Sequence, residues 1–291
     1  MYKYFIIFPV VFISLFTTYA QEIKVADLPD VMDEISGITT ASDKKLLAYM
    51  HNDSGDTSRI FAIDHNGKWV TTLYFKGVSG RKGVSDCEDI ASGKDAKGKG
   101  SYIYLGDIGD NNAMRSYITV YRIPEPKLIK SPSMVVPAVP VFLKYPDGPR
   151  DAETLMIDDI DHLLYIISKR EDTVSIYTAP LSWTANDTIK LKKRGTRYFT
   201  GVKPGKWISG GDISRDGKKV ILKSYQKVFY WNRKNKEPLW LTLQRQPAEL
   251  PYKQEPQGEA ICFDNTGNGY YTVSEGDHQP VYYYKLADKG K

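Results

Sequence analysis

The stretch Asp86-Cys87-Glu88-Asp89-Ile90-Ala91 recurs along the chain in altered form, as Ile35-Ser36-Gly37-Ile38-Thr39, Ala152-Glu153-Thr154-Leu155-Met156, Gly210-Gly211-Asp212-Ile213-Ser214 and Gly258-Glu259-Ala260-Ile261-Cys262. Each copy has a small or acidic residue, one spacer, and an aliphatic residue that opens a short strand. The aligned positions are Ser36, Glu88, Glu153, Gly211 and Glu259. A second strand follows in each repeat, at 46–51, 102–107, 163–169, 219–225 and 270–275. A third has the clearest register: Phe61, Val120, Ile176, Phe229 and Tyr282 are spaced by about 53 to 59 residues. A period of that length, filled with short strands, is the mark of propeller blades.

A fourth strand is expected at 69–75, 135–143, 189–198 and 239–243, and the fifth repeat lacks one. Residues 22–28 stand alone before the first repeat and can supply it, which would close the ring and remove open sheet edges. The expected fold is therefore an all-β, five-bladed β-propeller with about four antiparallel strands per blade. A six-bladed alternative needs a hidden repeat in the Pro-rich segment 124–149, which is too short. Asn66-Gly67, Asp216-Gly217 and Asn265-Thr266-Gly267 are tight-turn sequences between strands.

The 291 residues are 41% apolar, 26% charged and 12% aromatic, an ordinary globular composition. The net charge of +5 comes from scattered residues, so nucleic acid is not an expected partner. Residues 1–20 read as a signal peptide: Lys3, an apolar core too short for a comfortable span, then Thr18-Tyr19-Ala20. The mature chain, 21–291, is expected to be one domain, secreted or periplasmic, monomeric and without a membrane span. Cys87 and Cys262 fall on inner strands of different repeats and read as buried free thiols.

In a blade the start of strand one and the end of strand two share a face, so the unusual residues gather there. They include His51-Asn52-Asp53-Ser54-Gly55-Asp56, Gly106-Asp107-Ile108-Gly109-Asp110-Asn111-Asn112, Lys169-Arg170, Lys223 and Glu275, with Arg150 on a neighbouring loop. Glu88, Glu153 and Glu259 would face a narrow axis. Two carboxylates ~6 Å apart repel by about 3 kcal/mol at an effective dielectric near 20. A bound cation relieves this, and Ca²⁺ suits carboxylate, hydroxyl and carbonyl oxygens. The expected metal ligands are Ser36, Glu88, Glu153 and Glu259. Glu153, Asp107 and Asp53 are candidate catalytic bases, and Arg150, Lys169, Arg170, Lys223, His51 and Glu275 candidate substrate-binding residues. A metal with a basic fringe points to hydrolysis of phosphate esters or anhydrides. The alternatives are a metal-dependent lactonase or esterase, and a non-catalytic propeller that binds a small molecule, glycan or protein at the top face around a structural ion.

Two resemblances bear on this reading. Through His51-Asn52-Asp53-Ser54-Gly55-Asp56, Gly106-Asp107-Ile108-Gly109-Asp110-Asn111, Arg150-Asp151-Ala152-Glu153 and Gly258-Glu259-Ala260 the chain resembles a group of uncharacterised exported bacterial propeller proteins. The order Ser36, Glu88, Glu153 and, after a gap, Glu259 is similar to the soluble calcium-activated nucleotidases of the apyrase family. That resemblance implies a five-bladed propeller with a calcium ion in its tunnel, held near these four residues, and hydrolysis of nucleoside di- and triphosphates. The family has Ser where this chain has Gly211.

Overall fold

Short apolar and β-branched runs bounded by turn residues dictate strands rather than helices, and a computed structural model, describing residues 22–286, arranges them as five sheets around an axis. The expected signal peptide lies outside the described residues. Ile23–Asp27 forms β1. Blade one holds β2 (Ile35–Thr40), β3 (Leu46–Asn52), β4 (Arg59–Asp64) and β5 (Trp69–Tyr74). Blade two holds β6 (Cys87–Gly93), β7 (Tyr102–Asp107) and β8 (Ile118–Pro124), then β9 (Ser133–Val135) leads into β10 (Val139–Lys144). Blade three holds β11 (Ala152–Asp158), β12 (Leu163–Ser168) and β13 (Thr173–Pro180), with β14 (Asp187–Lys190) preceding β15 (Lys192–Tyr198). Blade four holds β16 (Ile208–Ile213), β17 (Lys219–Ser224) and β18 (Val228–Asn232), then the short helix α1 (Leu239–Thr242) and β19 (Ala248–Leu250). Blade five holds β20 (Gly258–Phe263), β21 (Gly269–Ser274) and β22 (Pro280–Lys285).

The ring is closed as the sequence implies: β1 pairs antiparallel with β22 and becomes the outer strand of blade five. Two blades are also fastened to the one before. The strand β9 lies parallel on the edge of β5, and β14 lies parallel on β10, so the fourth-strand regions expected at 135–143 and 189–198 each divide between two blades. The segment 239–243 corrects the sequence reading. Its apolar run suggests a strand, but Leu243 N–H bonds the Leu239 carbonyl at 3.0 Å in a helical turn after Pro238, and β19 supplies the fourth strand.

The core is divided among the interfaces between neighbouring blades. Tyr104, Leu155 and Leu164 pack between blades two and three, and Ile60, Ile90 and Leu105 between one and two. Ile167 and Phe229 fill the three–four interface, Ile38 and Val273 the five–one interface, and Ile221 and Phe263 the four–five interface. Each fully buried aliphatic or aromatic side chain contributes roughly 1.5–3 kcal/mol. Both cysteines are buried free thiols.

Polar ties cross the same interfaces. Asp89 accepts the Leu155 N–H at 2.8 Å, and Asp212 that of Phe263 at 2.8 Å. Arg233 of blade four is buried and pairs with Asp158 of blade three at 2.9 Å and with Asp161 at 2.8 Å. Removing the cation leaves a buried carboxylate uncompensated. Arg233→Met is therefore expected to lower unfolding stability by about 3–5 kcal/mol in chemical denaturation; a loss under about 1 kcal/mol would show that this tie is dispensable.

Candidate functional site

Every inner strand carries an irregularity at the same end. Ile35 pairs with Asn52 and Gly37 with His51, which leaves Ser36 as an extra, bulged residue. The same shift occurs at Glu88, Glu153 and Glu259. In blade four it falls at Ser209, because Ile208 pairs with Ser224 and Gly210 with Lys223. Ser209, not Gly211, is thus the fourth equivalent position, and Gly211 lies two residues further along, opposite Leu222. A bulge re-aims a side chain at the end of a ladder. Five in one ring gather Ser36, Glu88, Glu153, Ser209 and Glu259 at the mouth of the tunnel.

The two bulged serines join blades. Ser36 Oγ donates to the Glu88 carbonyl at 2.8 Å and lies 3.2 Å from Glu259 Oε2. Ser209 Oγ donates to the Gly258 carbonyl at 3.3 Å. The three glutamates are all buried, and Lys169 from the end of β12 enters among them. Its ammonium contacts Glu153 Oε1, lies 3.8 Å from Glu259 Oε1 and donates to the Tyr225 hydroxyl at 2.9 Å. Tyr225 in turn donates to Glu259 Oε1 at 2.6 Å. Burial alone would push Lys169 down, but Glu153 and Glu259 more than offset it and hold the ammonium protonated.

One lysine does not neutralise this mouth. Asp53, Asp86 and Glu88 have oxygens within 4.8 Å of one another, and so do Glu88, Asp151 and Glu153. Each ionised pair at such a distance repels by roughly 3–4 kcal/mol at an effective dielectric near 20. Burial, reinforced by neighbouring carboxylates, raises Asp53 to about 7, Asp86 to about 6 and Glu275 to about 10, and lifts Glu88 well above the usual range. Several acceptors here are buried without a partner among the described residues: Glu153 Oε2, Asp53 Oδ1, Asn52 Oδ1, Glu275 Oε1 and His51 Nε2. His51 is neutral, its pKa lowered to about 4 by burial. Its Nδ1 bonds the Asn52 carbonyl at 2.9 Å, which leaves Nε2 as the bare acceptor. Gly109 abuts the carboxylates of Glu88 and Asp86, and any side chain there would fill the space beside them. Oxygen-rich acceptors without donors fit a hard divalent cation.

Other residues expected at the site do different things. Asp107 accepts from Ser79 Oγ, the N–H groups of Ser85 (3.1 Å) and Asp86 (3.0 Å), and Arg115 (2.8 Å), so it pins the 79–86 loop that presents Asp86. Arg150 pairs with Glu171 at 2.6 Å and Asp147 at 3.1 Å on the rim. Arg170 pairs with Asp151 at 2.5 Å and stacks 5.0 Å over Trp207. Lys223 is fully buried, donates to the Gly258 carbonyl and lies 3.7 Å from Glu255, and burial lowers it to about 8. Asp86, Asp151, Ser209 and Tyr225 join the site although they were not expected there. The first two sit two residues before a bulged glutamate, a repeated Asp-x-Glu that the sequence displays at 86–88 and 151–153.

The opposite end of the tunnel has its own cavity of about 340 Å³, lined by residues including Asp212, Asp264 and Arg215. Arg215 reaches from blade four to blade one, donating to the Thr40 carbonyl at 3.1 Å and Ser42 Oγ at 3.2 Å. Glu88, Glu153 and Glu259 are not part of that end.

Fold and site together define a five-bladed β-propeller with a carboxylate-rich tunnel mouth. No protein-family model and no curated protein sequence matches the chain. Among solved structures, a luciferin-regenerating enzyme is 13% identical, with a TM-score of 0.51 over 92% of this chain and 96% of that one. A gluconolactonase from Xanthomonas campestris is 12% identical, with a TM-score of 0.49 over 91% and 89%. A nidogen/laminin complex gives 15%, 0.43, and 82% and 72%. Likeness at these identities concerns fold alone.

Carboxylates whose native pKa lies above the unfolded value contribute stability fully below pH ~4, and lose it as pH rises through the native pKa. With Asp53, Asp86 and Asp212 raised to about 7, 6 and 7, the window runs from about pH 4 to 7. In EDTA the thermal midpoint is expected to rise as pH falls from 8 to 5. A flat or falling profile would mean that these groups ionise without strain.

Proposed function

We propose that the mouth binds one divalent cation of the calcium class through Asp53, Asp86 and Glu88, and that the protein is a metal-dependent hydrolase of a carboxylic ester or lactone. The observation that carries this reading is the arrangement of charge. Partnerless acidic oxygens converge around Glu88, while Arg150, Lys169, Arg170 and Lys223, the groups that would grip a phosphate, are each already engaged by carboxylates of the chain. A neutral carbonyl substrate asks for no further cations, whereas a phosphate or pyrophosphate does. Ser209 at the fourth bulge completes the order Ser, Glu, Glu, Ser, Glu that the nucleotidase resemblance implies, which supports the ion rather than a phosphoryl substrate.

When bound, the cation would polarise the carbonyl and lower the pKa of a water. Around it the chain's own groups take distinct parts. Glu153 takes the part of general base: Lys169 fixes Oε1, and Oε2 is buried without a partner among the described residues. Tyr225 and Ser36 hold Glu259 as the far wall. Asp107 positions Asp86 through the loop it pins. A small molecule would reach the mouth from the top face, and the reading of residues 1–20 as a signal peptide supports action outside the cytoplasm.

Hydrolysis of γ-butyrolactone or p-nitrophenyl butyrate in Ca²⁺ is expected, abolished by EDTA and reduced about 100-fold or more in Glu88→Gln and Glu153→Gln. p-Nitrophenyl phosphate is expected to be inert. Turnover of the phosphate ester in place of the carboxylic esters, or lactone turnover indifferent to EDTA, would contradict the proposal.

A further inference from the structure

Beside the mouth lies an open pocket of about 530 Å³ between the linkers that enter blades four and five. Trp207 and Tyr225 give it aromatic walls, Pro204 and Pro256 add apolar edges, and Gln226 and Gln254 bring amides to it. Lys203 also borders it, but that ammonium pairs with Asp172 at 3.0 Å, so the pocket itself is close to neutral. Gln226 and Gln254 are exposed, so their side-chain amides face solvent over the pocket, and the Trp207 indole Nε1 is buried without an acceptor among the described residues. Gly205 packs against the Gln226 amide, in space that a side chain would take.

One residue links the pocket to the mouth. The Tyr225 ring lines the pocket, while its hydroxyl joins Glu259 at 2.6 Å and Lys169 at 2.9 Å. Arg170 stacks on the Trp207 ring at 5.0 Å and braces it.

Flat rings beside solvent-facing amides suit a ligand with both an apolar face and neutral hydrogen-bonding groups. An amide offers two donors and an acceptor, which serves hydroxyls, themselves both donor and acceptor. An aromatic ligand would use the rings and leave the amides idle; a phosphate would want free cations. We infer that this pocket is a saccharide subsite, taking a neutral sugar ring against Trp207 and Tyr225 with its hydroxyls on Gln226 and Gln254. That the bound sugar carries the ester or lactone hydrolysed at the mouth rests on the proposed function; the binding itself does not.

Saturation-transfer NMR with methyl β-D-glucopyranoside, methyl β-D-galactopyranoside and methyl α-D-mannopyranoside tests it on the whole protein. At least one glycoside is expected to bind, about tenfold more weakly in Trp207→Ala and several-fold more weakly in Gln226→Ala. Trp69→Ala, on the outer part of blade one, is expected to bind like the wild type. Absence of binding by all three overturns the inference, as does binding that survives both substitutions in protein with native circular dichroism. Benzyl alcohol binding that displaces the glycoside, depends on Trp207 and ignores Gln226 would make this an aromatic site, and overturns it too. Wild-type hydrolysis of γ-butyrolactone without glycoside binding removes the subsite and leaves the hydrolase standing. Glycoside binding lost in Trp207→Ala, with no ester or lactone turned over, keeps the subsite and removes the hydrolase.

Discussion

A β-bulge at the mouth end of every inner strand is the constraint on which the site depends. It adds one residue to each of the five inner strands at the same level of the ring, and so crowds Ser36, Glu88, Glu153, Ser209 and Glu259 about one axis. Without the bulges these positions would alternate with the regular pleat. The ring makes the crowding unavoidable, because closure by β1 on β22 fixes all five inner strands against their neighbours.

Crowded carboxylates then determine the rest of the mouth. Lys169 offsets part of the charge and is held by Glu153, Glu259 and Tyr225. Arg170 serves Asp151, and Arg115 serves Asp107. For Asp53, Asp86 and Glu88, burial and the neighbouring carboxylates outweigh the pull of Lys169, which is joined at Asp86 by Arg115, and their pKa values rise accordingly. A propeller tolerates such a local cost because its interfaces elsewhere are apolar and continuous, from Leu155 and Leu164 to Ile221 and Phe263. Strain of this kind in an otherwise consistent structure is where function is expected.

Much of this was legible in the sequence. The blade count, the closing N-terminal strand and the glutamates follow from repeat spacing and strand pattern, because each blade repeats the same local physics. Ser209 was obscured by its neighbours: Ile208-Ser209-Gly210-Gly211 offers two alignments, and only the pairing of Ile208 with Ser224 decides between them. The run Leu239-Trp240-Leu241 has strand-like apolarity, while the hydrogen bonds after Pro238 make it a helical turn. Lys169, at the end of a second strand, reads as a rim cation for substrate. Its inward course depends on Glu153 and Glu259, which come from different blades, and no local pattern encodes that meeting. The same holds for Tyr225, whose hydroxyl and ring serve two adjoining spaces.

The most direct test of the ion site is a crystal grown with Mn²⁺ in place of Ca²⁺ and measured for anomalous scattering. A single strong peak among the carboxylates of Asp53, Asp86 and Glu88, with Lys169 still on Glu153, is the expected result. A peak coordinated instead by Glu259 with Lys169 displaced, or no peak at the mouth at all, would contradict it.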